Sequence, residues 1–265
     1  MRIEMASEPG SPRRPNEDYA SVALPAAGRG GTLVVLDGVT PPPADTGCAH
    51  GVPWYVARLG GALLELSGSR RDMTLPECLS AAVSRTAEAH GPACDLSHSR
   101  TPQATVVLAR WDEETVEHLV LSDSALLVED VDGTVTPVLD ARLDVLRRTA
   151  RTLPAADRAA YLEGLRNTAD GFFTAAADPA VTARAVTGST PRDRVRALAA
   201  LSDGATRWAE VFRLGDWAGL LALLREEGPE ALIARVRAAE TGDRDGTAFP
   251  RGKAHDDATA VLVEF

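Results

Sequence analysis

The stretch QATVVLARWDEETVEHLVLSDSALLVEDVDGTVTPV, residues 103–138, decides how this chain folds. It holds four apolar runs in quick succession: Gln103–Trp111, Val116–Ser122, Ala125–Glu129 and Thr134–Val138. Turn-forming residues separate them, and Asp132-Gly133 between the last two is a hairpin signature. No helix fits between successive runs. Parallel strands need a crossover of a dozen or more residues, so these runs are read as antiparallel.

Upstream, Gly31–Asp37 (GTLVVLD) reads as a buried strand that ends on an acid. Tyr19–Leu24 and the segment around Ile3 and Met5 alternate as shorter strands, and Pro41-Pro42-Pro43 makes a stiff loop because each ring fixes φ. Two helices follow. Val52, Val56, Leu59, Leu63 and Leu66 recur at helical spacing, as do Leu75, Cys78, Leu79, Ala82, Val83 and Thr86, with Thr74 as N-cap and Glu77 three residues on. Downstream, residues 140–166 are rich in Ala, Arg and Leu, split by Pro154, and read as a helical excursion that Asn167 and Thr168 cap or orient. Phe172–Ala176, Val195–Leu201 and Ala258–Phe265 read as strands, Trp208–Leu224 and Glu230–Ala239 as helices. This order predicts an α+β protein: a two-sheet antiparallel β-sandwich flanked by helix pairs, four-layer αββα, as a single domain over 1–265.

The chain has 265 residues, enough to bury a core without covalent staples. Its 28 Lys and Arg against 38 Asp and Glu give a formal charge of −10, which argues against nucleic acid or an anionic membrane as partner. Cys48, Cys78 and Cys94 cannot all pair with one another and form no Cys-x-x-Cys unit, so neither a disulfide framework nor a four-cysteine zinc site is expected. His90, Cys94 and His98 fall four residues apart, but Gly91 and Pro92 interrupt any helix there, and zinc is not expected on the three. The start of the sequence lacks the apolar core of a signal peptide, and no window is apolar enough to span a membrane. A cytoplasmic location is expected, with oligomeric state left open.

Asp-Gly occurs five times, and alone it means a turn. Asp37-Gly38 and Asp203-Gly204 differ, because each closes an apolar strand-like run. A carboxylate at the rim of a core is costly unless a cation pairs with it. Asp256 stands just before the last strand, and Glu17-Asp18 just before another. Acids at several strand ends can converge at one end of a sandwich, and such hard oxygen ligands select Mg²⁺ or Mn²⁺ over zinc.

The series Arg13-x-x-Asn16-Glu17-Asp18, LVVLD37-Gly38, LSD123-Ser124, ALSD203-Gly204 and His255-Asp256-Asp257-Ala258-Thr259-Ala260-Val261 resembles the metal-dependent (type 2C, PPM-type) serine/threonine protein phosphatases, in particular their bacterial members. The resemblance runs over nearly the whole chain. It implies a phosphoprotein phosphatase with two Mg or Mn ions, acting on phosphoserine and phosphothreonine through a metal-bridging hydroxide. Two such ions lower the pKa of a shared water and screen the charge on the transferred phosphoryl group. By the same resemblance, Asp37 bridges the ions, Glu17 and the Gly38 carbonyl serve the second, and Asp203 and Asp256 hold the first. Arg13 grips the substrate phosphate, Asp123 supports a third metal, and the excursion near 140–170 is a flap beside the site. His255, next to Asp256, is a possible proton donor to the leaving group.

Three departures stand out. Val39-Thr40-Pro41-Pro42-Pro43 replaces the usual residues after the first Asp-Gly; Ser122-Asp123-Ser124-Ala125 lacks the usual arginine; and Arg207 stands where many members carry an aspartate for the third metal. Arg207 is therefore expected to substitute for the third metal's charge, or turnover to be poor. These departures also keep an alternative open, a catalytically silent phosphatase-like module that binds phosphoproteins or a regulatory partner.

Overall fold

The structure is a computed structural model of the chain, and it describes residues 1–26, 29–42 and 46–265. Its first elements are β1 (Arg2–Glu8), β2 (Asp18–Ala23), β3 (Gly31–Asp37), α1 (Val52–Ser69) and α2 (Leu75–Glu88). The 103–138 stretch supplies β4 (Val106–Trp111), β5 (Thr115–Leu121), β6 (Ala125–Asp130) and β7 (Val135–Val138). Then come α3 (Arg142–Ala150), α4 (Arg158–Gly164), β8 (Val186–Pro191), β9 (Val195–Leu201), α5 (Asp203–Glu210), α6 (Trp217–Glu227), α7 (Pro229–Gly242) and β10 (Ala258–Glu264).

Two five-stranded antiparallel sheets result, ordered β1-β10-β9-β6-β7 and β2-β3-β4-β5-β8. The four runs of the opening stretch are thus two hairpins, one in each sheet. The chain changes sheet at residues 122–124, where Ser122 takes a φ of 70°. The continuous apolar character of β3 has a direct cause. Leu33 and Val35 face the other sheet, while Val34 and Leu36 face α1 and α2. In β9, Leu198 and Ala200 face the other sheet, and Ala199 and Leu201 face α5, α6 and α7. The layers are αββα, and each fully buried leucine contributes about 2 kcal/mol. The predicted cap on α2 forms as a full box: the Glu77 amide donates to Thr74 Oγ1 (3.4 Å) and the Thr74 amide to Glu77 Oε2 (2.7 Å).

Three elements differ from their sequence reading. Phe172–Ala176 is buried but is no strand; it makes only single bridges, Ala104 to Ala175 and Arg166 to Phe172. Side chains take the place of a ladder, since the Thr174 amide donates to Asn167 Oδ1 (2.8 Å) and its hydroxyl bonds Gln103 Oε1 (2.6 Å). Strand β8 (VTGSTP) is polar and half exposed, an edge strand without an apolar signature. The helix expected over Trp208–Leu224 is broken between α5 and α6, where Arg213 takes a φ of 53° and Asp216 caps α6 through the Gly219 amide (2.8 Å).

Candidate metal centre

The acids converge at one end of the sandwich. Asp37 ends β3, and in the β2–β3 register Asp18 lies directly opposite it. Thr105 holds the backbone of Asp37, its amide donating to the Asp37 carbonyl (2.9 Å) while its Oγ1 accepts from the Asp37 amide (3.2 Å). Asp203 opens α5, and its amide donates to Asp37 Oδ2 (3.4 Å). Asp123 sits at the corner between the sheets, and Asp256 precedes β10.

The two Asp-Gly pairs singled out from sequence are close approaches between elements. A Cβ on Gly38 would lie 2.3 Å from Val52 Cγ1 and 2.5 Å from the Glu17 carbonyl oxygen; one on Gly204 would lie 1.9 Å from the Asp257 carbonyl oxygen. Asp257 is a clamp: its two oxygens accept from the amides of Gly10 and Glu17, both at 2.7 Å, and so fix the segment that carries Glu17. One acid of the Asp256-Asp257 pair faces the cluster's cations while the other shapes the loop beside it.

The acids repel one another in a poorly solvated place. Burial, then the charges of Asp203, Asp18, Asp256 and Asp123, push Asp37 well above the usual carboxylate range. Burial, then Asp256 and Asp123, push Asp203 up to about 7, against the pull of Arg147 and Arg207. Asp18 is pushed up to about 7 by burial against the pull of the nearby Thr259 and Ser202 hydroxyls, neither of which makes a well-formed hydrogen bond to its two buried oxygens. Burial raises Glu17 too, although the Thr40 hydroxyl donates to it. Orphaned carboxylate oxygens and mutual repulsion are what a hard divalent cation relieves, so the donor set fits Mg²⁺ or Mn²⁺.

A pH dependence follows. These raised carboxyls take up protons on folding, so the stability they contribute is full below about pH 4 and is lost as pH rises through about 7. The Tm of metal-free protein is expected to fall between about pH 5 and about pH 8, and saturating Mn²⁺ to remove that fall. Differential scanning fluorimetry checks this; a metal-free Tm that climbs over the window contradicts it.

Three cations answer the acids, and two of them give no sequence signal. Arg147, from α3, donates to Asp123 Oδ2 (2.7 Å) and lies 3.9 Å from Asp203 Oδ2. Lys253 Nζ bonds Asp256 Oδ1 (2.6 Å) and Thr40 Oγ1 (3.0 Å). Burial opposes its charge, but Asp256, then Asp37 and Asp203, outweigh burial and hold its pKa above the ordinary lysine value. Arg207 pairs with acids other than Asp123, although its charge also reaches Asp203. It is buried and pairs with Asp256 Oδ2 (2.8 Å) and Glu240 Oε1 (2.6 Å), whereas the cation paired with Asp123 is Arg147. Reach explains the exchange: Arg207 lies on α5 beside α7 and the segment before β10, and α3 brings Arg147 over the corner between the sheets. His255 is likewise engaged by Glu240, with Nδ1 to Oε2 at 2.7 Å. The Arg13 side chain is exposed and makes no hydrogen bond or ion pair among the described residues, while the charge of Arg14 reaches Glu17. Pro41 and Pro42 flank the site beyond Thr40; Pro43 lies outside the described residues.

Lys253 occupies Asp256 Oδ1, so a divalent ion taken up at Asp256 would have to compete with it. Lys253→Met is therefore expected to lower the Kd for Mn²⁺ by about tenfold. Isothermal titration calorimetry reads this directly, and an unchanged or weaker Kd would refute the competition.

No family model matches the chain, and no curated protein matches it in sequence. In structure it has the fold of the serine/threonine phosphatases. Stp1 from Staphylococcus aureus, a serine/threonine phosphatase, superimposes with a TM-score of 0.61 and 13% identity, over 99% of this chain and 94% of that one. The serine/threonine phosphatase PstP of Mycobacterium tuberculosis gives 0.58 and 18%, over 100% and 98%. A PstP catalytic domain in complex with two manganese ions gives 0.57 and 18%, over 99% and 97%. A sex-determining protein of C. elegans gives 0.60 and 14%, over 98% of this chain and 64% of that one. Likeness at such identity carries the architecture; any activity has to be argued from the residues.

Proposed function

We propose that this chain is a metal-dependent phosphatase of phosphoserine and phosphothreonine in proteins, acting as one domain over residues 1–265. The observation that carries it is the meeting of Asp37, Asp18, Asp123, Asp203 and Asp256 at one rim, close enough for the charges of their neighbours to raise the pKa of Asp37 and of Asp203. In this reading Asp37, Asp203 and Asp256 hold one ion, and Asp37, Glu17 and the Gly38 carbonyl the other. Bound there, a pair of Mg or Mn ions supplies a water activated at neutral pH and charge screening for the phosphoryl group.

The chain's own residues do the rest. Asp257 sets the position of Glu17 through two amide contacts. Arg13, whose side chain has no partner among the described residues in the exposed loop before Glu17, is free to fork onto a phosphate. Arg147 already neutralises Asp123, the acid that would support a third metal, so a two-ion centre is favoured. Helices α3 and α4 form the flap that carries Arg147. Among the described residues no helix is long and apolar enough to cross a membrane, and the reading places the protein in the cytoplasm with phosphorylated proteins as its substrates.

Phosphate release from a phosphoserine peptide with Mn²⁺ tests the proposal, with EDTA expected to abolish it. One observation favours the silent module as a second reading: both oxygens of Asp256 are occupied by cations of the chain itself. Peptide binding without phosphate release at saturating Mn²⁺ would select that reading.

A further inference from the structure

Outside the acid cluster, four side chains meet whose chemistry the phosphatase reading does not use. Cys48 and His50 lie in the loop between β3 and α1, while His90 follows the end of α2 and Cys94 lies in the loop toward β4. Cys48 Sγ is 3.2 Å from His90 Nδ1, 3.3 Å from Cys94 Sγ and 3.7 Å from His50 Nδ1, and Cys94 Sγ is 3.4 Å from His50 Nδ1. All four ligand atoms lie within 4.8 Å of one another.

We infer that Cys48, His50, His90 and Cys94 form a structural Cys₂His₂ zinc site that fastens the loop after β3 to the end of α2. Tetrahedral zinc has Zn–S bonds of about 2.3 Å and Zn–N bonds of about 2.05 Å, which place ligand atoms roughly 3.4–3.8 Å apart. Of the four separations, 3.4 and 3.7 Å lie within that range and 3.2 and 3.3 Å lie under it. Hydrogen bonding alone accounts for the cluster poorly. One thiol has a single weak proton, yet Cys48 Sγ has three ligand-type neighbours, and it also accepts the His50 amide at 3.3 Å. An amide aimed at sulfur is the contact that stabilises a thiolate. The cysteines are free rather than bonded to each other. Two thiolates offset the charge of one Zn²⁺, so the closed site is neutral, and four protein ligands leave no open position for substrate.

The surroundings are built for it. Trp54, in the first turn of α1, stacks on His50 with centroids 3.9 Å apart and meets His90 edge-on at 4.8 Å. The Asp95 amide donates to the Gly47 carbonyl at 2.6 Å and pins the two loops together beside the cluster. Gly91, at a φ of 71°, turns the chain so that His90 and Cys94 reach one point. The same residue that excludes a helical metal face creates this one. His98 is not part of it; its Nδ1 accepts the Arg100 amide at 3.1 Å.

The test is metal content of the full chain purified from zinc-supplemented medium. About one zinc per chain is expected by mass spectrometry of the elements, and stripping it is expected to lower Tm by roughly 10 °C. Cys48→Ser and His90→Ala are expected to lose the zinc. His98→Ala and Asp37→Asn are expected to keep it, and the second of these separates this ion from any held by the acids. Should the cysteine variants fail to fold, wild-type protein refolded with Co²⁺ is expected to show sulfur-to-cobalt charge transfer and the strong visible absorption of a tetrahedral centre. Wild type without zinc, zinc retained by folded Cys48→Ser, cobalt protein lacking the thiolate band, or a Cys48–Cys94 disulfide in freshly purified protein would each overturn the inference. The inference is independent of phosphatase activity, which phosphate release reads separately.

Discussion

Asp37→Asn is expected to slow Mn²⁺-dependent phosphate release from a phosphoserine peptide by about 10³-fold or more, and to raise the Tm of metal-free protein by roughly 5 °C. The two effects share one cause. Asp37 is half-buried, faces Asp203, Asp18, Asp256 and Asp123, and is held well above its usual range by desolvation and by their charges. Such a carboxylate destabilises the metal-free fold, because ionising it inside the cluster costs about 1.4 kcal/mol for each unit by which its pKa is raised. An asparagine of the same shape removes that charge and can still accept from the Asp203 amide, which lies 3.4 Å from Asp37 Oδ2. Removing the charge also removes the ligand proposed to be common to both ions. Thermal melts and phosphate assays on one preparation separate the outcomes. Lost activity with lowered Tm would mean that Asp37 is structural, and retained activity would end the metal-centre proposal.

Glu240→Leu is expected to destabilise the protein by about 3–5 kcal/mol, a fall in Tm of roughly 10 °C. Glu240 is fully buried on α7 and accepts from Arg207 Nη1 at 2.6 Å and Arg237 Nη1 at 2.8 Å, with His255 Nδ1 at 2.7 Å. Burial alone would raise its pKa. Hydrogen bonds from Arg237 and His255, with the charges of Arg207 and Arg237, hold it below the ordinary glutamate value instead. Without Glu240, the buried guanidinium of Arg207 keeps, among the described residues, only Asp256 and the Lys253 carbonyl (3.3 Å) as partners. A buried charge stripped of one partner is among the costlier single changes. Arg207 would then draw more strongly on Asp256, so the Kd for Mn²⁺ is expected to rise. Denaturant unfolding of Glu240→Leu checks the first effect and calorimetry the second. A variant within about 1 kcal/mol of wild type would show that the network is no support for the site.

Much of the fold was legible because its signals are local. The run GTLVVLD is apolar at every interior position because a central strand between a sheet and a helix layer is buried on both faces. The Thr74–Glu77 box is written in four consecutive residues. The acids were legible as strand-end carboxylates, and they do meet. Nothing local marks Asp18 as a member of the cluster; its place opposite Asp37 comes from the β2–β3 register. Cys48 and His50, two residues apart, form no Cys-x-x-Cys unit, and their meeting with His90 and Cys94 is set by the loops.

By itself, then, the sequence determined most of the strands and helices, that they layer as αββα, and which carboxylates stand at the rim. Periodicity, caps and turn residues act over a few positions, and each is read where it stands. Only the tertiary structure decided which cation answers which acid, Arg147 at Asp123 and Arg207 at Asp256, and that Cys48 and His50 meet His90 and Cys94. Those pairings depend on how helices sit on sheets and how loops cross between layers. Such contacts join residues dozens of positions apart, and no local pattern in the chain records them.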